Sequence, residues 1–221
     1  MAQPKYVQDV LKRFNMEDCK PVATPINPAV KLSKEMSPTT DEEKKGMSQI
    51  PYRNLTGSLM YLPTSTRPDI AYAVSALSQF NENPGEEHWK AAKRVLRYLK
   101  KTEKMEIVFS ETGEKLIGFS DADWGANIDD RRSYTGYLFK WAGGAISWSS
   151  RKQRTVAMSS AEAEYMALSE AAKETIYLRR FLSEVMGKLK TTVILCDNQS
   201  ADYICLFDVE YVLESELLFY I

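Results

Sequence analysis

One arrangement in the second half of the chain restricts the fold more than any other. Strand-period segments come first, then a long helix-period stretch over 160–186, then a short apolar run, Val193-Ile194-Leu195-Cys196. Residues 105–109 and 116–120 read as strands joined by Glu111-Thr112-Gly113-Glu114, and 135–141 and 145–149 flank Ala142-Gly143-Gly144. Tight turns suffice for antiparallel neighbours, whereas a helix between strands supplies the crossover that parallel pairing needs. The expectation is an α/β fold: a mixed sheet, antiparallel strands first and one parallel strand last, with flanking helices. The run at 192–196 should lie beside the first strand, followed by a helix starting near Gln199.

That topology gathers acidic residues at one end of the sheet. The stretch Ile117-Gly118-Phe119-Ser120-Asp121-Ala122-Asp123-Trp124 presents Asp121 and Asp123 at a strand tip, and the later run ends in Asp197-Asn198. Ligands of α/β sheets collect at strand carboxyl ends, where both positions fall. The helix adds glutamates. Ser159-x-x-Glu162 is a capping box, so orphan N–H groups of the first turn account for Glu162. Glu164 instead steps to Leu168, Ala171, Thr175, Leu178, Leu182 and Val185, an apolar face. A carboxylate heading such a face points inward, and burying it unpaired is costly, so it needs a cation. Asp121, Glu164 and Asp197 together suit hard divalent ions, Mg²⁺ first and Mn²⁺ next. Two such ions about 4 Å apart activate a water and stabilise the leaving oxygen in phosphodiester cleavage. Each acid taken alone has an equally good structural use at a cap or strand end.

The first hundred residues read as helical. Residues 6–14 have a helical period and lead into an extended segment carrying Pro21, Pro25 and Pro28. Residues 33–49 are polar and charged and are expected to be a mobile linker. Leu55, Leu59, Met60 and Leu62 mark a short helix stopped near Pro63, and Arg67-Pro68-Asp69 opens another over 69–80. Asn83-Pro84 should cap a helix reaching about Lys101, with Trp89, Ala92, Val95, Leu96 and Leu99 inward. On it, Lys90, Arg94, Arg97 and Lys101 step by 4, 3 and 4 into a basic stripe, which is either a solvated face or a track for a phosphate backbone. His88, the sole histidine, is expected at the surface, with no second histidine to complete a metal set.

Composition excludes little. The formal net charge of −1 over 221 residues means that nucleic-acid binding must come from local patches. Cys19, Cys196 and Cys205 fit no metal-ligand spacing and are expected as reduced intracellular thiols. No apolar run approaches the roughly 18 residues of a membrane span, and no signal-peptide core opens the chain. A soluble intracellular protein, cytoplasmic or nuclear, is the expectation.

Longer motifs carry a resemblance. Ser120-Asp121-Ala122-Asp123-Trp124, Arg131-Arg132-Ser133, Thr135-Gly136-Tyr137, Ile146-Ser147-Trp148 and Lys152-Gln153 occur in order, followed by Ser159-Ser160-Ala161-Glu162-Ala163-Glu164-Tyr165 and Cys196-Asp197-Asn198-Gln199-Ser200-Ala201. Together they resemble the ribonuclease H domain of copia-type retrotransposon polyproteins. Upstream, Tyr52-Arg53, Gly57-Ser58-Leu59-Met60-Tyr61, Thr66-Arg67-Pro68-Asp69-Ile70 and Arg97-Tyr98-Leu99 are similar to the segment between the reverse transcriptase palm and that domain. The resemblance covers about residues 3–204.

It implies a small, mainly helical connection- or thumb-like segment over 1–104 and a ribonuclease H-like domain over 105–221. The implied activity is hydrolysis of the RNA strand of RNA–DNA hybrids with two Mg²⁺ ions, on Asp121, Glu164 and Asp197 as the first three acids. Lys90, Arg94, Arg97, Lys101, Arg131, Arg132, Asn198 and Gln199 become expected nucleic-acid contacts, and the missing palm and fingers an expected partner. The paired aspartates of the polymerase site are absent, so no polymerisation is expected. After about Tyr203 the pattern departs: the family's fourth acid falls, in register, at Tyr220, with Glu214 and Glu216 nearby. That departure implies a weakened nuclease and a 192–196 strand near an exposed edge. The competing readings are a non-catalytic nucleic-acid-binding remnant and a phosphatase-like hydrolase using Asp121-x-Asp123. The second of these leaves Glu164 unexplained.

Overall fold

The structure, a computed structural model, describes residues 1–110, 115–187 and 191–197, and the backbone of 211–213. Two compact units divide the chain, Met1–Ile107 and Val108–Ile221.

The first unit is helical. Helix α1 (Pro4–Arg13) starts on a proline, whose missing N–H is no loss in a first turn, and buries Val7, Val10 and Leu11. Helix α3 (Tyr52–Ser65) buries Leu55, Leu59 and Leu62, and it runs through Pro63 rather than stopping there. Pro63 lies in the last turn, so little helix remains for its ring to disrupt. The helix expected over 69–80 is broken into a 3-10 turn (Pro68–Ile70) and α4 (Ala71–Ser78). Helix α5 (Glu86–Lys101) packs Val95, Leu96 and Leu99 into the common core with Tyr52, Ile70, Val74 and Leu77.

Further expectations for this unit are overturned. Residues 33–49 are no structureless linker: they contain a 3-10 turn (Lys34–Met36) and α2 (Asp41–Ser48). A reciprocal capping box orders α2, with Glu43 N–H donating to Thr40 Oγ1 and Thr40 N–H to Glu43 Oε2, each at 3.2 Å. His88 is fully buried. Its Nδ1 accepts from Gly85 N–H at 2.8 Å, its Nε2 lies 3.0 Å from Ser33 O, and its ring stacks on Phe80. Gly85, not Asn83, is therefore the cap of α5. A Cβ at Gly85 would sit 1.8 Å from the carbonyl oxygen of Met36, so only glycine permits this approach.

The second unit is a five-stranded mixed sheet. Strands β1 (Ile117–Asp123), β2 (Tyr134–Trp141), β3 (Gly144–Lys152), β4 (Val193–Cys196) and β5 (Tyr211–Leu213) are ordered β3-β2-β1-β4-β5. β1–β2 and β2–β3 are antiparallel, while β1–β4 and β4–β5 are parallel. Helix α6 (Ser160–Met186) makes the crossover and packs Leu168, Ala171 and Leu178 against Leu116, Tyr137, Phe139 and Ile194. Its apolar face ends early, since Val185 is 69% exposed. β4 is not the sheet edge, because β5 pairs with it.

Residues 105–109 form no strand. Ile107 N–H bonds only to Met1 O at 2.9 Å, and Ser110 N–H to Ala142 O at 2.8 Å, so alternation here meets no continuous partner ladder. The turn at 111–114, the helix expected from Gln199 and the apolar tail 217–221 lie outside the described residues.

Candidate active site

β1 and β4 deliver the two strand acids side by side. Phe119 pairs with Leu195 in the parallel register, so Asp121 and Asp197, each two residues on, lie level at neighbouring carboxyl ends. α6 delivers the third. Ser159 Oγ accepts from Glu162 N–H at 3.1 Å, while Glu162 Oε2 accepts from Met158 N–H at 2.7 Å. Glu162 is thus occupied at the cap, whereas Glu164, two residues on, is 6% exposed and faces the sheet. Arg179 Nη1 donates to Thr192 Oγ1 at 3.1 Å, tying the far half of α6 to the lead-in of β4.

The electrostatics describe acids held close without a counter-charge. Burial, reinforced by Asp121 and Asp197, pushes the Glu164 carboxyl up to about 8, against a weaker opposing bond from Ala122 N–H. Asp121 is raised as well, by burial first and then by Asp197. Asp123 is pushed up to about 6 by burial, although it accepts a bond from Tyr134 N–H. Among the described residues no ion pair engages Asp121, Glu164 or Asp197.

The donor chemistry fits a divalent cation. A carboxylate oxygen of Glu164, Cys196 Sγ and a carboxylate oxygen of Asp197 all lie within 4.8 Å of one another, a set that Asp121 does not join at this spacing. Hard oxygen donors suit Mg²⁺ or Mn²⁺, whose charge would offset the mutual repulsion of these acids. Cys196 is not legible in this role, because cysteine spacing points only to cysteine-based sets. The buried thiol lies 3.9 Å from Glu164 Oε2, a neighbour 32 positions away in the chain.

The remaining expected residues scatter. Arg131 is exposed, with a left-handed φ of 58°, and Arg132 Nε lies 3.9 Å from Asp130 Oδ2. Both belong to a turn in which Asn127 Oδ1 accepts from the N–H groups of Asp129 and Asp130. In the first unit, much of the basic stripe is engaged by its own chain. Lys90 pairs with Glu86 and Glu87 at 3.0 and 2.8 Å. Arg94 donates to Thr24 Oγ1 at 2.8 Å and Arg97 to Lys20 O at 2.7 Å, so the proline-rich segment docks along them. Lys101 is exposed, and Asn198 and Gln199 lie outside the described residues.

The second unit thus defines a class: a mixed α/β sheet with a crossover helix and an acid cluster at its parallel strand ends. Comparison with known proteins supplies the lineage. The chain is 52% identical over 201 residues to "Retrovirus-related Pol polyprotein from transposon TNT 1-94" of Nicotiana tabacum, an alignment covering 91% of this chain and 15% of that protein. It is 42% identical over 208 residues to the corresponding polyprotein from transposon RE1 of Arabidopsis thaliana, covering 93% of this chain and 14% of that one. The chain is a homologue of the retrovirus-related Pol polyproteins of plant transposons, and it spans about 15% of their length. A "Secreted RxLR effector protein 161" of Plasmopara viticola is 54% identical over 133 residues, covering 60% of this chain and 94% of that protein. Among solved structures, a foamy viral protease–reverse transcriptase in complex with double-stranded DNA aligns at 13% identity and a TM-score of 0.45, covering 81% of this chain and 42% of that one. No family model matches the chain. No helix among the described residues is long and apolar enough to cross a membrane.

Proposed function

We propose that the second unit is a ribonuclease H-like nuclease of the copia type that hydrolyses the RNA strand of RNA–DNA hybrids. The first unit is then the connection- or thumb-like segment of the same Pol polyprotein. The observation that carries this reading is Glu164: a carboxyl raised by burial first and further by Asp121 and Asp197, where two parallel strands end. Burial without an ion pair is costly unless a cation completes the site.

Asp121, Glu164 and Asp197 would hold Mg²⁺, which supplies an activated water and charge stabilisation at a phosphodiester. The protein's own part is positioning. β1 and β4 fix two acids at one level, and the Ser159–Glu162 cap fixes the first turn of α6, so that Glu164 enters from above. Arg131 and Arg132, on the ordered turn after β1, would contact the hybrid backbone. Hybrids would be read by shape and 2′-hydroxyls rather than by sequence.

The test is incubation with a labelled RNA–DNA hybrid, with and without Mg²⁺. Mg²⁺-dependent cleavage, lowered at least 100-fold by Asp121→Asn, is the expected result. Hybrid binding with no cleavage would replace this reading with that of a non-catalytic remnant. Hydrolysis of small phosphomonoesters with the hybrid left intact would replace it with a phosphatase.

A further inference from the structure

Between β3 and the first half of α6 lies a cavity of about 450 Å³ whose walls include none of Asp121, Glu164, Cys196 or Asp197. Edge strand β3 contributes Arg151, the segment after it Arg154, and α6 Tyr165 and Lys173. Arg151 and Arg154 are exposed and have no ion pair among the described residues. Arg151 is oriented by Nε donating to Ser149 Oγ at 2.8 Å. Lys152 and Lys173 line the same cavity but are already paired, with Asp130 at 2.8 Å and Glu170 at 2.6 Å. Glu170 lines the cavity as well, lowered chiefly by its bond to Lys173 and further by Arg151 and Arg154, so it offsets part of their charge and leaves the groove net basic. Beside them the Tyr165 ring is 42% exposed.

Gln153 gives the groove a second, independent requirement. It lines the cavity and is only 7% exposed. Its Nε2 donates to Thr135 Oγ1 at 3.0 Å and to Ala163 O at 2.9 Å, which fixes the amide plane. Oε1 is left buried with no donor, so a ligand in the groove reaches it through a small shift of the side chains above it. A buried acceptor without a partner is unfavourable, so the groove has a standing preference for a ligand that brings a donor. Two exposed arginines in a net basic groove ask for phosphates, an exposed tyrosine ring for a stacked base, and Gln153 Oε1 for a hydroxyl. Of common strands, only RNA carries a hydroxyl donor beside every phosphate.

We propose that the β3–α6 groove binds a single strand of RNA, with phosphates on Arg151 and Arg154, a base on Tyr165 and a ribose 2′-hydroxyl on Gln153. The site is separate from the acid cluster and does not depend on that cluster cutting anything.

The test uses the full chain in EDTA and fluorescence anisotropy with labelled oligo-uridine and oligo-deoxyuridine of equal length, which differ at the 2′ position alone. Oligo-uridine should bind roughly tenfold more tightly, the scale of one good hydrogen bond. Arg151→Ala with Arg154→Ala should weaken both probes and flatten the salt dependence. Tyr165→Ala should weaken both probes at constant salt slope. These side chains are exposed, and unchanged circular dichroism confirms that each variant is folded. Equal affinity for the two probes overturns the proposal, as does wild-type binding by the double arginine variant. Displacement of oligo-uridine by oligo-glutamate at equal charge concentration overturns it in favour of an acidic peptide. If hybrids go uncut while oligo-uridine binds, the nuclease reading fails and the groove stands. If hybrids are cut but the probes bind equally, the groove fails and the nuclease reading stands.

Discussion

At the residue scale, polar groups in this chain are explained by what they face after folding, which sequence shows unevenly. Glu164 is legible because its helical partners are apolar, and it is buried as that pattern requires. His88 is not, since charged neighbours surround it in sequence while Gly85 N–H and Ser33 O receive it in space. Arg67 is the sharper case. It is only 2% exposed, donates to Asp69 Oδ2 at 2.7 Å and to Thr102 Oγ1 at 2.6 Å, and lies over the Tyr98 ring. Thr102 caps the end of α5, so this guanidinium joins the 3-10 turn to that helix end. Removing one partner of a buried pair strands the other. Asp69 keeps 24% of its side chain exposed, so Arg67→Ala should destabilise the first unit by less than a fully buried pair would, about 2–3 kcal/mol. Urea unfolding reads this directly, and a loss below about 1 kcal/mol would show that the pair is dispensable.

At the element scale, long periodic segments are legible and short ones are not. α6 begins after its Ser159 cap and ends at Met186, and β4 occupies 193–196 beside β1, much as their apolar patterns dictate. α2 escapes because none of its eight residues is buried and no apolar period marks it. Its one signal is Thr40-x-x-Glu43, three residues of spacing rather than a pattern. Glu43 is lowered from its ordinary value chiefly by the N–H groups of Thr39 and Thr40, so the box favours the ionised form. Thr40→Ala should cost the helix about 1 kcal/mol, which corresponds to about a fivefold change in its opening equilibrium. Hydrogen exchange at the amides of 43–47 should then accelerate by that factor while the core of α5 is unchanged. Equal exchange in both proteins would mean that something other than the cap orders this segment.

At the scale of the whole second unit, the acid cluster should govern how stability responds to pH and metal. Glu164 at about 8 and Asp123 at about 6 lie above their ordinary values of 4.5 and 3.8, and Asp121 is raised with them. A raised carboxyl binds its proton more tightly folded than unfolded. Its contribution is therefore complete below the unfolded value and is lost as pH rises through the folded one. In EDTA the unit should lose stability steadily between about pH 5 and 8. Groups shifted the other way, Asp130 and Glu170, act only as pH falls toward and below their ordinary values, outside this window. Mg²⁺ changes the sign, since it binds the ionised acids and gains affinity as protons leave. Thermal midpoints in EDTA should fall across the window, and those in Mg²⁺ should stay level or rise. Glu164→Gln separates the contributions. It removes the ionisation cost of the most strongly raised acid, so in EDTA above about pH 7 it should be more stable than wild type, by roughly 1–3 kcal/mol. In Mg²⁺ it should lose most of the metal's stabilisation. A flat wild-type profile in EDTA, or equal metal response from both proteins, would show that these acids do not share an ion.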